Sequence, residues 1–298
     1  MRNEQNESQT EKEPSMRTSH ESFGSDETRC CVHITRRFTD REWGGSEETI
    51  WNLCQNLQRA GWRNRVVTSK ALDPRPHGSI KGVGVRRYAH FYPLLGLNEE
   101  KRTRLDKKGG NLVAPGILGD LLGDPKARIY HAHTTKRTGG MVRTAARLRG
   151  LPYVVTLHGG TFDVPEAERA DLLDPLKGTL EWGKAIGFVL GSRAVLRDAD
   201  TVICIGKKEM EGVQRRFPET PVRYIPWGVD TSWILSGDRS RARSRWKFSD
   251  TNVAPQKNSP TVLLTVGRVD MQKNQIALVR ALPEIRSRCG DVRLLFVG

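Results

Sequence analysis

Short apolar strands alternate with amphipathic helices along most of this chain, and this alternation constrains the fold more than any other feature. The first unit begins near Cys30, where C-V-H-I-T is typical of a buried strand. The pair Gly44 and Gly45 follows it, and apolar residues then recur every three or four positions over 50–57, which indicates a buried helix face. A second strand is expected at 65–68. This order predicts a parallel crossover unit.

The alternation continues to residue 235. Further strands are predicted at 83–88, 128–130, 153–157, 201–205 and 222–225. Helices are predicted at 112–122, 180–196 and 208–217, with one more that follows Gly139-Gly140 and closes at Gly150. Strands with near-continuous apolar runs, separated by helices, predict a parallel sheet covered on both faces. We therefore expect the α/β class, with a doubly wound domain over 30–235.

The two ends of the chain differ in composition from this domain. Residues 1–29 consist mainly of Glu, Gln, Asn, Ser and Thr, so they are predicted to be a disordered tail. Residues 236–260 are polar and rich in arginine, which is typical of a linker. A strand at 261–267, a helix at 275–288 and a strand at 292–298 then restart the alternation. They predict the start of a second Rossmann-like domain over 261–298.

The chain is strongly basic, with 49 Lys and Arg against 34 Asp and Glu and a net charge of +15. The tail is acidic, so the basic excess lies in the folded part. Such a body suits nucleic acid, anionic lipid or phosphorylated ligands, and ordinary solubility charge explains it equally well. The sequence has no RNP signature, zinc finger or basic zipper, so no nucleic-acid partner is expected.

Cysteine usage and hydropathy indicate the compartment. The five cysteines are odd in number and form no C-x-x-C pair, which argues against a disulfide framework and against a zinc ribbon. The N-terminus has no apolar leader. No run of about eighteen apolar residues is present, so no membrane span is expected. A reducing cytoplasm is therefore predicted.

Ligands of open α/β sheets bind outside the carboxyl ends of the strands, and that rule selects the candidate site residues. Gly44 and Gly45 precede a helix, where the backbone can approach an anion, although a plain tight turn explains them as well. Arg268 ends a strand and Lys273 begins the next helix, so the two cations suit a diphosphate. A solvated basic loop is the alternative.

Histidines end two of the predicted strands. His158 closes the strand at 153–157, where it could bind a sugar hydroxyl, move a proton or simply hold a loop carbonyl. His131 and His133 have a spacing found among metal ligands. However, no Asp, Glu or Cys follows in the same loop, so a metal site is not expected.

Six segments together resemble a known enzyme family. In chain order they are G-G-S-E at 44–47, Y-H-A-H at 130–133, P-Y-V-V-T-L-H-G at 152–159, A-D-T-V-I-C-I at 199–205, I-P-W-G-V-D at 225–230 and V-G-R-V-D-M-Q-K-N at 266–274. The chain thereby resembles the retaining glycosyltransferases of family four, which have the GT-B fold. The resemblance spans residues 30–298.

The resemblance implies transfer of a sugar from a nucleotide sugar to an acceptor, with retention at the anomeric carbon. It implies that Gly44 and Gly45 lie near the donor, that Arg268 and Lys273 clamp its diphosphate, and that His158 is the catalytic residue beside the reacting sugar. No metal or other cofactor is then required, because the two cations neutralise the leaving nucleotide. In this family the first domain binds the acceptor. The resemblance therefore places on the acceptor side Glu47, His133, Gly159 and Asp163.

The sequence departs from the family in several places. Gly206 stands where the family usually has Ser, and Trp227 where it has Asn. The family's donor domain also continues through more strands and an acidic motif that holds the donor ribose and sugar. We therefore expect a truncated donor domain here, and a non-catalytic relic or binding domain is the alternative function.

The acceptor is expected to be a glycan or a lipid-linked glycan of cell-surface polysaccharide biosynthesis. Residues 86–108 mix aromatic, apolar and basic side chains and could dock on an anionic membrane surface at the inner face. The alternative for the same segment is an acceptor-domain loop followed by a solvated charge run. A Rossmann oxidoreductase is disfavoured, because no dinucleotide-binding fingerprint is present.

Overall fold

The computed structural model describes residues 29–160, 162, 166–248, 260–269 and 273–298. Within them, eight strands form one sheet in the order β10-β9-β7-β6-β1-β2-β4-β3, and only β3 runs antiparallel to its neighbour. The eight strands are β1 (Cys30–Ile34), β2 (Arg63–Ser69), β3 (His77–Ile80), β4 (Val83–Tyr88), β6 (Ile129–Ala132), β7 (Tyr153–Leu157), β9 (Thr201–Cys204) and β10 (Val222–Tyr224). Two further strands, β5 (Leu94–Leu95) and β8 (Leu180–Glu181), form an antiparallel ribbon.

Helices cover both faces of the large sheet, as the sequence predicts. On one face, Ile50 and Cys54 pack with Val66 and Val85. On the other, a larger core surrounds the fully buried Tyr130. The helices are α1 (Gly45–Arg59), α2 (Glu99–Lys108), α3 (Pro115–Gly123), α4 (Lys136–Arg149), α5 (Glu166–Leu173), α6 (Lys184–Val189) and α7 (Lys207–Arg216).

A separate unit follows the large sheet. It consists of α8 (Thr231–Leu235), α9 (Arg239–Arg245) and a crossover in which α10 (Gln275–Cys289) joins the parallel strands β11 (Thr261–Val266) and β12 (Val292–Val297). The helix α9 lies in the segment predicted as a linker, of which residues 249–259 are outside the described residues. Residues 1–28 of the predicted tail are also outside them.

The structure differs from the sequence prediction in two segments. The helix predicted at 180–196 is instead β8, the short α6 and a series of turns. Gly191 explains part of the difference, because it takes a left-handed conformation with φ of +60° that ends the helical path. The charged run at 99–108, for which the sequence predicts no helix, forms α2, whose first turn is capped by the Asn98 side chain.

Helix α4 begins earlier than predicted, at Lys136, so Gly139 and Gly140 lie inside it. A Cβ on Gly140 would lie 2.9 Å from the carbonyl oxygen of Leu190, and one on Gly139 would lie 2.7 Å from that of Thr134. The two glycines therefore allow close packing of α4 and do not mark its start. Its predicted end at Gly150 is confirmed, with φ of +63°.

Asp120 on α3 holds that helix against the sheet. Its carboxylate accepts hydrogen bonds from Arg65 on β2 at 2.6 Å, and from Arg86 and the Tyr88 hydroxyl on β4 at 2.5 and 2.8 Å. The three donors hold the pKa of this carboxyl below its ordinary value, against the opposing effect of desolvation. The Tyr88 ring is thereby fixed beneath Gly116 of the same helix.

No helix in the described part of the chain is both long enough and apolar enough to cross a bilayer.

The close approach at Gly116 leads to a stability prediction. A Cβ at this position would collide with the Tyr88 ring, so Gly116→Ala is expected to lower the free energy of unfolding by about 1–3 kcal/mol. Gly119→Ala in the same helix is the matched control, because no atom lies within 4 Å of its added Cβ. Helix propensity there favours alanine by up to about 1 kcal/mol. Urea unfolding measures both variants, and equal effects would contradict the packing described.

Candidate functional site

A cavity of about 230 Å³ opens at the carboxyl edge of the large sheet. This is the edge at which the strand-end rule places ligands. The ends of β1, β6 and β7 contribute Arg36, His133 and His158, and the starts of α1 and α4 contribute Ser46 and Lys136. The remaining lining residues are Gly109, Gly110, Asn111, Leu112, Thr134, Thr135, Thr138, Thr156, Leu157 and Gly159.

A chain of hydrogen bonds crosses four neighbouring strands and ends in this cavity. Nε2 of His33 lies 3.2 Å from Oδ1 of Asn64, and Nδ1 of His33 lies 3.1 Å from Nε2 of His133. Nδ1 of His133 in turn lies 3.0 Å from Nε2 of His158. The side chains of Asn64, His33, His133 and His158 therefore form one connected row, here called the histidine chain.

The direction of this histidine chain follows from Asn64. The amide Nδ2 of Asn64 donates to the carbonyl oxygens of Cys54 and Trp62, so its Oδ1 is the acceptor that faces His33. His33 must then donate through Nε2, which leaves its Nδ1 to accept from His133. The same reasoning makes His133 accept from Nε2 of His158.

At the end of the histidine chain, Nδ1 of His158 carries no proton. This atom is buried and has no hydrogen-bond partner among the described residues. Burial also lowers the pKa of His158 and of His33 to about 4, so both rings are neutral at pH 7. Burial and the neighbouring rings lower the pKa of His133 well below its ordinary value. His158, which lines the cavity, thus carries a neutral acceptor that suits a hydroxyl or amide donor.

The loop after His158 depends on its two glycines. Gly159 and Gly160 have φ of +87° and +72°, a left-handed conformation that glycine adopts without strain. Gly159 lines the cavity, and the ring of Trp227 meets the His158 ring edge-on at 5.2 Å between centroids. Asp163, predicted on the acceptor side, lies outside the described residues.

The glycine loop before α1 places a carboxylate near this edge of the sheet. Helix α1 begins at Gly45 with Gly44 as its N-cap. Glu47 is buried and its Oε1 accepts from Nε of Arg37 at 3.1 Å. A Cβ on Gly44 would lie 3.1 Å from Oε2 of Glu47, so this position favours glycine. Neither glycine lines the cavity, whereas the adjacent Ser46 does.

The predicted diphosphate clamp lies in the C-terminal unit. Arg268 follows the end of β11, and Lys273 precedes α10. Cε of Lys273 lies 3.8 Å from the position that a Cβ on Gly267 would occupy, so this side chain reaches the carboxyl end of β11. Gln275 donates to the Arg268 carbonyl oxygen at 2.9 Å. Neither cation lines the cavity of the large sheet.

Potential metal ligands cluster behind the cavity. One donor atom each of Cys31, His33 and His131 lies within 4.8 Å of the others. However, both ring nitrogens of His33 are engaged in the histidine chain, and Nε2 of His131 lies 2.6 Å from the Thr156 hydroxyl. Burial further raises the pKa of the Cys31 thiol, which opposes formation of a thiolate ligand. These bonds favour the histidine chain over a metal centre.

Two cations of the cavity were missed in the sequence. Arg36 lies two residues after the end of β1, so the strand-end rule could have selected it. Lys136 gave no such signal, because the helix start was predicted at Gly139-Gly140. Asn64 and His33 are also absent from the predicted set, since nothing in the sequence shows that they reach His158 through other side chains.

Comparison with known proteins identifies the family. Residues 44–228 match the sequence family described as glycosyl transferase 4-like domain. The chain belongs to this family. The match confirms the predicted relationship to the family-four glycosyltransferases, and the family is one of transferases, in agreement with the predicted enzyme class.

One curated relative matches a part of the chain. It is the GDP-mannose-dependent alpha-(1-6)-phosphatidylinositol monomannoside mannosyltransferase of Mycolicibacterium smegmatis, which is 30% identical over 107 residues. The match covers 36% of this chain and 26% of the relative, so it concerns about a quarter of that enzyme's length.

Two solved structures share the fold at 14% sequence identity. The trehalose-6-phosphate synthase OtsA has a TM-score of 0.55, with 90% of this chain and 64% of that chain covered. WaaG, a glycosyltransferase involved in lipopolysaccharide biosynthesis, has a TM-score of 0.52, with 89% and 62% covered. They confirm the predicted GT-B class of α/β fold.

The histidine chain leads to a prediction about the protonation of His158. At pH 7, ¹⁵N NMR of the imidazole nitrogens is expected to show a proton on Nε2 of His158 and none on Nδ1. In His133→Phe, Nε2 of His158 loses its acceptor, so a mixture of both tautomers is expected. Thr156→Val removes the hydrogen-bond partner of His131 and leaves the histidine chain intact, so it should preserve the wild-type tautomer of His158. A proton on Nδ1 in the wild type would contradict the direction assigned.

Proposed function

We propose that this chain transfers a sugar from a nucleotide-sugar donor to a glycan or lipid-linked acceptor, with retention of configuration, in cell-surface polysaccharide biosynthesis. The observation that carries the proposal is the buried, unpaired Nδ1 of His158, a residue that lines the cavity at the carboxyl edge of the sheet. A sugar hydroxyl is the donor that this atom lacks. The family to which the chain belongs supports the same reaction class.

We propose a positioning role for His158. With a pKa of about 4, its Nδ1 is a weak base at neutral pH and removes a proton from an acceptor hydroxyl poorly. The second pKa of a phosphate is about 6, so the departing diphosphate is the stronger base. In this scheme the bond from the anomeric carbon to the diphosphate oxygen breaks, the acceptor oxygen bonds to that carbon, and its proton passes to the diphosphate.

The remaining predicted residues support this assignment of roles. We propose that the 30–235 domain binds the acceptor near Glu47, His133, Gly159 and Asp163, and that Gly44 and Gly45 approach the donor. Arg268 and Lys273 then neutralise the diphosphate as it leaves, a task that requires no metal. Their common position at the carboxyl end of β11 supports this role.

The nature of the acceptor is inferred from relatives. The curated relative acts, by its name, on a phosphatidylinositol monomannoside, and the structurally similar WaaG acts in lipopolysaccharide biosynthesis. Both names concern glycolipids, which supports a lipid-linked acceptor and a peripheral position at a membrane.

The structure changes which surface is suited to a membrane. Of the segment predicted to dock, Arg87 is buried against Asp73 at 3.1 Å, and the Tyr92 hydroxyl donates to Asp106. Leu95 on β5 is 58% exposed, however, and faces Leu180 on β8, which is 66% exposed. We propose that this ribbon, with Trp182 next to it, contacts an anionic bilayer, and that neighbouring lysines such as Lys101 and Lys177 strengthen the contact.

Vesicle flotation tests the membrane contact. The wild type is expected to float with phosphatidylglycerol vesicles at low salt and to be released at high salt. Leu180→Glu should lower the floated fraction, because it places a carboxylate in the ribbon. Leu148→Glu is the matched control, since Leu148 is 70% exposed on α4 away from the ribbon. Equal flotation of Leu180→Glu and Leu148→Glu, or no flotation of the wild type, would contradict this proposal.

Calorimetry with GDP-mannose and UDP-glucose tests donor binding. Arg268→Ala and Lys273→Ala are each expected to weaken binding by about tenfold, since each removes a charge-assisted contact. Arg280→Ala, at an exposed position of α10, should leave binding unchanged. Binding that is equal in all variants would refute the clamp.

The fate of the donor sugar separates an enzyme from a binding domain. Transfer or slow hydrolysis of the bound donor, with ¹H NMR showing that the product keeps the donor's anomeric configuration, is expected. An inverted product would refute retention. Binding without any turnover would favour the alternative of a non-catalytic domain.

A further inference from the structure

We propose that the cavity holds the phosphate group of an anionic acceptor, bound by Arg36 and Lys136 beside His158. The proposal deepens the proposed function, on which it rests for the identity of the ligand as an acceptor. The inferred ligand class is a compact polyol phosphate, free or as the head group of a lipid, because the cavity of about 230 Å³ is lined by both cations and by His158.

The first support is an excess of positive charge. Arg36 and Lys136 both line the cavity, and none of the described lining residues is an Asp or a Glu. The positive charge of Arg36 lowers the pKa of Lys136, in addition to the effect of desolvation. Because both cations line the same cavity, an anion bound between them would reduce their mutual repulsion.

The described partners of these two cations do not neutralise them. Arg36 donates from one terminal nitrogen to the carbonyl oxygens of Leu105 and Asp106, at 3.3 and 2.8 Å. Those bonds fix the guanidinium without cancelling its charge. The carboxylate of Asp106 attracts Arg36 but is already bound by His90 and Tyr92 at 2.9 and 2.7 Å. Lys136 makes no ion pair with any carboxylate of the described residues.

The second support is the backbone at Lys136. Its φ of +57° is left-handed, a conformation that costs a lysine about 1 kcal/mol or more and that glycine adopts freely. It is also the first residue of α4, whose N-cap Thr135 makes no side-chain capping bond. Strain of this kind persists only where the surrounding structure holds the residue in the strained conformation, and it is concentrated at functional sites. Here it directs a cation and the start of a long helix toward one cavity.

His158 completes the binding site. Its Nδ1 accepts a hydrogen bond and cannot donate one, because the histidine chain keeps its proton on Nε2. It therefore does not suit a phosphate oxygen and suits a hydroxyl of the same ligand. The cavity thus offers cations for the phosphate and a neutral acceptor for the polyol.

The test measures binding of inorganic phosphate to the full chain by calorimetry. Lys136→Gly is expected to weaken phosphate binding about tenfold, since a charge-assisted contact is lost. This variant should fold at least as well as the wild type, with an equal or higher unfolding temperature, because glycine suits the left-handed backbone. Loss of phosphate binding without loss of stability is the expected result.

Lys247→Gly is the matched control. Lys247 is also a lysine with left-handed backbone, at φ of +55°, and it is exposed outside the cavity. The Lys247→Gly substitution removes the same charge as Lys136→Gly. If the cavity is the site, the phosphate affinity of Lys247→Gly should therefore stay within about twofold of the wild-type value. No phosphate binding by the wild type, or equal weakening in both variants, would overturn the proposal.

A second titration distinguishes an acceptor phosphate from the donor diphosphate. Phosphate is expected to bind equally well when GDP or UDP is saturating, and Lys136→Gly should leave nucleotide binding unchanged. Displacement of phosphate by either nucleotide, with loss of nucleotide binding in Lys136→Gly, would assign the cavity to the donor and overturn the inference. Phosphate binding with no nucleotide binding in any variant would count against the proposed function alone and would leave the anion site standing.

A third titration distinguishes the source of the phosphate. If soluble glycerol 1-phosphate competes with inorganic phosphate, a free polyol phosphate is sufficient. If only phosphatidylinositol vesicles compete, the phosphate is that of a lipid head group. Competition by neither ligand class would refute the polyol part of the inference.

Discussion

The parallel register of β1 against β6 is the constraint on which the site depends. It sets His33 directly opposite His131, and the backbone of His133 then donates to the carbonyl oxygen of Ile34 at 2.7 Å. The strand β7 is in register with β6 on the other side, which brings His158 to the same edge. Since side chains alternate between faces, a slip of one residue would turn these rings away from one another. The histidine chain exists only in this register.

The polarity of this edge has two parts with different physical origins. Burial keeps the histidines neutral, so their contribution is directional hydrogen bonding and adds no charge. Arg36 and Lys136 are the cationic groups of this edge, and desolvation lowers the pKa of both below their ordinary values, which lie far above neutral pH. His158, which carries a neutral acceptor, and the cationic residues Arg36 and Lys136 thus line the same small cavity. A ligand must satisfy both, which selects for molecules that carry hydroxyls and an anionic group together.

The sequence predicted the fold class and the position of His158 well, for physical reasons. Near-continuous apolar strands leave few options besides a covered parallel sheet, and 83–88 and 153–157 match β4 and β7 in both bounds. The rest depends on tertiary packing. Gly139 and Gly140 were interpreted as the start of a helix, whereas their role is to let α4 approach the segment near Leu190. The positive φ of Lys136 follows from its surroundings and leaves no trace in a single sequence.

The buried histidines also bind protons differently in the folded and unfolded chain. An exposed histidine titrates near pH 6.5, whereas His33 and His158 titrate at about 4. Between pH 6.5 and about 4, these histidines are therefore protonated in the unfolded chain and remain neutral in the folded chain. This difference in proton binding favours unfolding as the pH falls through that range. Near pH 5.5 each such ring lowers the free energy of unfolding by about 1 kcal/mol. The arrangement that orients one acceptor in the cavity thus also makes this sheet edge sensitive to mild acid.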